Sequence, residues 1–144
     1  MYQRILLAYD GSESGQRALL ESSEFAHWSQ SELHLIAVVP LLTAPIWFEV
    51  AAPLARPDIE LQNAQQLIQR GVTRLQSLGC RASGEVVSGD AVSEICAMAH
   101  SRKADLIVVG HKHQNSWAAR WWSNDVSRSL IEQSPCSVLV VITH

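Results

Sequence analysis

The chain has 144 residues, 47% of them hydrophobic and 17% charged, which is the size of one ordinary domain with enough apolar material to close one core. A net charge of -3 supplies no basic field, so nucleic acid and anionic lipid are set aside as partners. The opening MYQRILLAYDG places a single Arg before a short apolar run that stops at Asp10, too brief for a signal-peptide core or a membrane span, and the expected location is the cytoplasm.

RILLAY, within Gln3 to Tyr9, is a nearly continuous apolar run of the kind found in a strand covered on both faces, and Asp10-Gly11-Ser12 is a turn signal after it. From Ser14 to Trp28, Ala18, Ser22, Phe25 and Ala26 recur at helical spacing, with Gln16, Arg17, Glu21 and Glu24 on other faces. Glu32 to Val39, ELHLIAVV, reads as a second buried strand and completes a β-α-β unit. Pro40 to Pro57 holds four prolines in an apolar segment, so a long loop is expected, with Ile46, Trp47 and Phe48 in need of a covering surface.

Asp58 is the expected cap of a helix carrying Leu61, Ala64, Ile68, Val72, Leu75 and Leu78 at steps of three and four and closed by Gly79. Cys80 to Ser88 is a third strand, and Gly89-Asp90 then caps a helix whose inward face is Val92, Ile95, Cys96 and Ala99. Leu106 to Val109 is the fourth strand, a polar and aromatic loop follows Gly110, a fourth helix starts near Asn124 or Asp125, and Ser137 to Ile142 is the fifth strand. Repeated β-α units predict a parallel sheet in a three-layer α/β/α arrangement, and ligands in such sheets bind beyond the carboxyl ends of the strands, where the loop after Gly110 lies. Cys80, Cys96 and Cys136 form no C-x-x-C pair and read as small buried hydrophobes.

Three stretches carry a resemblance. RILLAYDGSESGQRAL, SGDAVSEICAMAHSRKADLIVVG and SPCSVLVV, in this order across the chain, resemble the first strand and turn, the third helix with the fourth strand, and the closing strand of the universal stress protein family. The resemblance implies one domain over residues 1–144, a five-stranded parallel sheet of the nucleotide-binding, adenine nucleotide alpha hydrolase-like type, a homodimer and a role in stress survival. One branch of that family binds ATP through an acid after the first strand, a backbone contact from the second strand, and G-x-x-G, nine residues, then G-S or G-T. Asp10, Val38, Val109 and Gly110 match the first parts of this pattern. The second glycine is replaced by His113, and the G-S pair falls on Ser123-Asn124 or on Asn124-Asp125.

Glycines let the backbone approach phosphate, and a free helix N-terminus offers donors to it, so these replacements predict a degenerate site with weak or no ATP binding. Lys112, Arg120 and Ser127 are the candidates to compensate, as is charge on His111 and His113; a chain that uses them would be a slow ATPase or nucleotide-dependent switch. Asp10 has two readings, a crevice-facing carboxylate or the turn-forming acid of an Asp-Gly step. A receiver-domain reading fails because the third strand ends without a phosphoacceptor Asp. His111 and His113 lack a nearby carboxylate or Cys, so no metal is expected. Ser12, Ser14 and Ser127 lie in no G-x-S-x-G elbow, and no catalytic residue is assigned. Trp117, Trp121 and Trp122 read either as anchors for a protein partner or as rings folded over the crevice. The resemblance implies that the apolar run Ser137 to Ile142 sits at a sheet edge and pairs with a second copy, and an apolar edge left uncovered would be an aggregation hazard, which is a second reason to expect a homodimer through it.

Overall fold

The computed structural model describes residues 2–40, 57–112 and 124–143. Its elements are β1 (Arg4–Ala8), α1 (Glu13–Ser29), β2 (Glu32–Val39), α2 (Pro57–Ser77), β3 (Arg81–Ser88), α3 (Ala91–Ser101), β4 (Leu106–Lys112), α4 (Asn124–Gln133) and β5 (Ser137–Thr143). The strands form a five-stranded sheet in the order β3-β2-β1-β4-β5, with every pairing parallel.

Alternation along the strands divides the core in two. Ile5, Leu7, Leu33, Leu35 and Val108 point to the face where Ala18, Leu19 and Ala26 of α1 pack with Ala64, Ile68 and Leu75 of α2. Leu6, Ala8, Ile36, Val38, Ile107 and Val109 point the other way, against Ile95 and Ala99 of α3 and Val126 and Leu130 of α4. Both faces of the central strands are therefore apolar, which is why β1 and β2 read as continuous hydrophobic runs. Each fully buried Leu or Ile contributes about 1.5–3 kcal/mol to holding the three layers together.

Local chemistry sets the ends of the helices. Ser12 is the N-cap of α1, its Oγ accepting from the Gly15 N–H at 3.0 Å, so the helix begins at Glu13 rather than at Ser14. Asp90 caps α3 by accepting from the N–H and the hydroxyl of Ser93 at 3.0 and 2.9 Å. Gly79 stops the chain after α2 with φ +87.

Two expectations change. Helix α2 begins at Pro57, so Asp58 lies inside its first turn and is not its cap; a proline at the first helical position withholds an N–H that the helix would leave unpaired anyway. Leu61 and Leu78 are exposed, because the face of α2 that meets the sheet is centred on Ala64, Ile68, Gly71 and Leu75. Strand β4 does not end at Val109: pairing with β5 carries it on, with Gly110 opposite Val141, His111 opposite Ile142 and Lys112 opposite Thr143. Much of the loop after Pro40, and the loop that holds His113, Trp117, Arg120, Trp121, Trp122 and Ser123, lie outside the described residues.

Candidate functional site

Chain direction across the sheet reverses between β1 and β4. From β1 the chain moves outward to β2 and β3, and from β4 it moves the other way to β5. Two neighbouring strands whose following helices lie on opposite faces leave a crevice at their carboxyl ends. Ala8 pairs with Ile36 on one side and Val109 on the other. Asp10, Val38 and Gly110, one or two residues beyond these partners, therefore come to the same level at the mouth of the crevice.

Backbone direction decides what Val38 offers there. The Tyr9 N–H donates to the Ile36 carbonyl at 2.9 Å, and the Gly89 N–H donates to the Val39 carbonyl at 3.0 Å. Alternate residues of a strand send both peptide groups to opposite neighbours, so Val38, like Ile36, faces the β1 side, one step past the last contact with β1. Its side chain is buried in the core beneath.

Asp10 is half-buried and Oδ1 is engaged in the turn: it accepts from the Ser12 N–H at 2.9 Å and the Ser12 hydroxyl at 2.6 Å. The turn-forming role is thus present in the structure, and Oδ2 has no hydrogen bond among the described residues. Gly15 preserves this arrangement, since a Cβ there would lie 2.6 Å from Asp10 Oδ1. Gly110 answers to a different constraint. A Cβ on it would run into the Ser14 carbonyl, 2.5 Å from the carbonyl carbon and 2.8 Å from the Gly15 nitrogen. The glycine matched to a phosphate-binding motif is required first by the approach of α1 to β4. Tyr9, just before Asp10, has its phenol pushed up by burial, with Arg74 opposing and Asp10 adding to the shift.

Val109 is buried beneath the crevice, Lys112 ends β4, and Ser127 is half-buried near the start of α4. Ser12, Ser14 and Gly15 are in contact with the crevice positions: Ser12 with Asp10, and the Ser14–Gly15 backbone with Gly110. The described residues contain no group of three or more His, Cys, Asp or Glu that could hold a metal ion. Cys80, Cys96 and Cys136 are free and only partly buried, and burial is the first cause raising each thiol pKa.

A parallel sheet of this order, with an acid just after β1 and a glycine on β4 at the point of reversal, defines a doubly wound, Rossmann-like α/β fold. Residues 1–141 match the family model described as the universal stress protein family, and the chain belongs to that family. A universal stress protein of Thermus aquaticus is 28% identical over 98% of this chain and 99% of its own. Among solved structures, a universal stress protein in complex with cAMP superposes with a TM-score of 0.71 at 24% identity, covering 99% of this chain and 98% of that one. An Arabidopsis thaliana member of the family with AMP bound gives 0.70 at 17% identity, over 99% and 92%.

Proposed function

We propose that this protein is a one-domain, cytoplasmic universal-stress binding module that holds the nucleoside part of an adenine nucleotide beside Asp10, Val38 and Gly110 and grips a triphosphate tail weakly or not at all. The observation that carries this reading is the shared level of these three residues at the crevice mouth, combined with His113 in place of the second glycine and Ser123-Asn124 or Asn124-Asp125 in place of the G-S pair of the phosphate loop. The Val38 peptide group supplies a donor and an acceptor to an adenine edge, and Asp10 supplies an acceptor to a ribose hydroxyl. Relatives of the same fold carry cAMP and AMP, ligands with one phosphate, which supports a site whose recognition resides in the nucleoside.

Calorimetric titration with ATP, AMP and adenosine tests this. AMP and ATP are expected to bind within a few-fold of each other, and Asp10→Ala to weaken both. Micromolar ATP binding far tighter than that of AMP overturns the degenerate reading and favours the second one, a slow ATPase or switch holding phosphate through Lys112, Arg120 and Ser127.

The assembly follows from β5. As an edge strand it leaves Leu139 and Ile142 exposed, with α4 adding Ile131, and an uncovered apolar edge favours pairing with a second copy. A homodimer through Ser137 to Ile142 should sediment as such, and Ile142→Lys should shift it to monomer. Trp117, Trp121 and Trp122 form the proposed contact for a protein partner. No described helix is long and apolar enough to cross a membrane, and neither nucleic acid nor a membrane is proposed as a partner.

A further inference from the structure

The end of the sheet opposite the crevice holds a second constellation, in which none of the residues matched to the ATP-binding pattern takes part. His34 sits in β2 with 7% exposure, the one ionisable residue on an inward position of that strand. The register places Ser83 directly across from it on β3, with Glu85 two residues further along the same face. Imidazole Nδ1 lies 2.7 Å from Ser83 Oγ, and Nε2 lies 2.8 Å from Glu85 Oε1. Arg102, following α3, brings Nη2 to 3.5 Å from the same carboxylate oxygen.

A carboxylate beside a guanidinium can only accept, so it takes the Nε2–H. The Nδ1 lone pair is then left to accept the Ser83 hydroxyl proton. Burial first, then the Arg102 charge, lower the His34 pKa, while the hydrogen bond and charge of Glu85 oppose them. The imidazole is thus held neutral near pH 7, the form in which it serves as a base. Ser83 itself is exposed on the edge strand and lines, with His34, Arg4, Arg102, Ser101 and Ala104, a cavity of about 360 Å³.

We propose that Ser83 is a base-activated nucleophile, with His34 as its general base and Glu85 as the positioning residue, and that the adjoining cavity accepts small anionic esters for acyl transfer. Nucleophile, base and orienting group stand in hydrogen-bond sequence on two rigid strands, the arrangement that activates a hydroxyl. Glu32, the other charged residue on the cavity wall, is drawn to Arg81 at 3.7 Å, so Arg4, with Arg102 beside it on the wall and paired to Glu85, gives the cavity the positive charge to meet an anionic acyl group and the developing oxyanion.

In the reaction, Ser83 Oγ bonds to the ester carbonyl carbon as its proton passes to His34 Nδ1. The carbon–oxygen bond to the leaving group then breaks, and the departing alkoxide takes that proton. Water, deprotonated by His34, attacks the acyl-Ser83 and releases the carboxylic acid with the serine restored. No electron transfer and no further reactant is needed.

A fluorophosphonate probe applied to the full chain, followed by peptide mapping, tests the nucleophile. Ser83 is expected to be labelled in preference to the exposed Ser77 and Ser101, and the ester 4-nitrophenyl succinate to be hydrolysed faster than 4-nitrophenyl acetate. Both reactions should fall by about 100-fold in Ser83→Ala, which removes only an exposed hydroxyl, and in His34→Gln. The labelling rate should rise with pH as His34 loses its proton, with a midpoint below the ordinary imidazole value. Glu85→Gln should move that midpoint lower still, because the carboxylate no longer supports the imidazolium; a purely structural clamp between β2 and β3 would show no such profile. Labelling spread evenly over serines, or hydrolysis unchanged in Ser83→Ala, overturns the proposal, and neither result bears on nucleotide binding at the other end of the sheet.

Discussion

The two ends of this parallel sheet are built by opposite means. At the crevice end, backbone meets backbone: β4 at Gly110 lies against Ser14 and Gly15 of α1, and the Asp10 turn is closed by hydrogen bonds within three residues. At the other end, side chains do the joining. Asp105 accepts from the N–H groups of Gln3 and Arg4 at 2.8 and 3.0 Å, His34 bridges to Ser83 and Glu85, and Arg81 pairs with Glu32 at 3.7 Å. A contact between main chains tolerates no added atom, whereas water can partly replace a contact made by exposed side chains. The crevice floor is consequently set by close backbone contacts, and the base by contacts between ionisable side chains.

If that contrast holds, adding one carbon at the crevice should cost more than deleting a whole carboxylate at the base. Gly110→Ala forces a Cβ into the Ser14 peptide and should destabilise by about 3 kcal/mol or more, read as a fall in urea midpoint or loss of soluble protein. Asp105→Ala deletes two charge-assisted hydrogen bonds to the start of β1 and should cost about 1–3 kcal/mol in the same assay. Asp90→Ala removes the α3 cap and should cost about 1 kcal/mol. An equal loss in all three would erase the distinction between the ends.

The smallest effect expected is pH-dependent. Because the folded state lowers the His34 pKa, the unfolded chain binds more protons wherever pH lies between the folded and unfolded values. Stability should therefore decline as pH falls through the unfolded imidazole value, and the decline should be complete below the folded one. Comparing urea midpoints at about pH 7.5 and 5.5 should give a smaller difference in His34→Gln than in the natural chain. Identical differences in the two proteins would remove His34 from the acid limb.

Legibility differed between the same two regions. The crevice residues Asp10, Val38, Val109 and Gly110 were singled out through the resemblance to the family's ATP-binding pattern, and of these the Asp10 turn is also marked by local punctuation. Gly110 carries a second constraint that no pattern in sequence shows, the close approach of α1 to β4. The base cluster was passed over. His34 lies in ELHLIAVV, where periodicity registers only an apolar run, and its partners are 49 and 51 residues away. The alternation of Ser83 and Glu85 in RASGEVVS was the available signal, and it gains meaning only once β2 is known to lie alongside. The Asp58 cap was misjudged, and Leu61 and Leu78 fall outside the buried face, for a related reason: helical spacing marks an apolar stripe wider than the part the sheet covers.

What the amino-acid order determined by itself was the succession of strands and helices and the parallel α/β class, because these follow from periodicity, caps and turn residues acting over a few positions; the family was legible only through the resemblance of three motifs. The tertiary structure alone decided which residues meet: the register that levels Asp10, Val38 and Gly110, the pressure of α1 on Gly110, and the His34–Ser83–Glu85 sequence of hydrogen bonds. Such contacts depend on strand pairing between segments far apart in the chain, and pairing is selected by the packing of the whole core rather than by any local stretch.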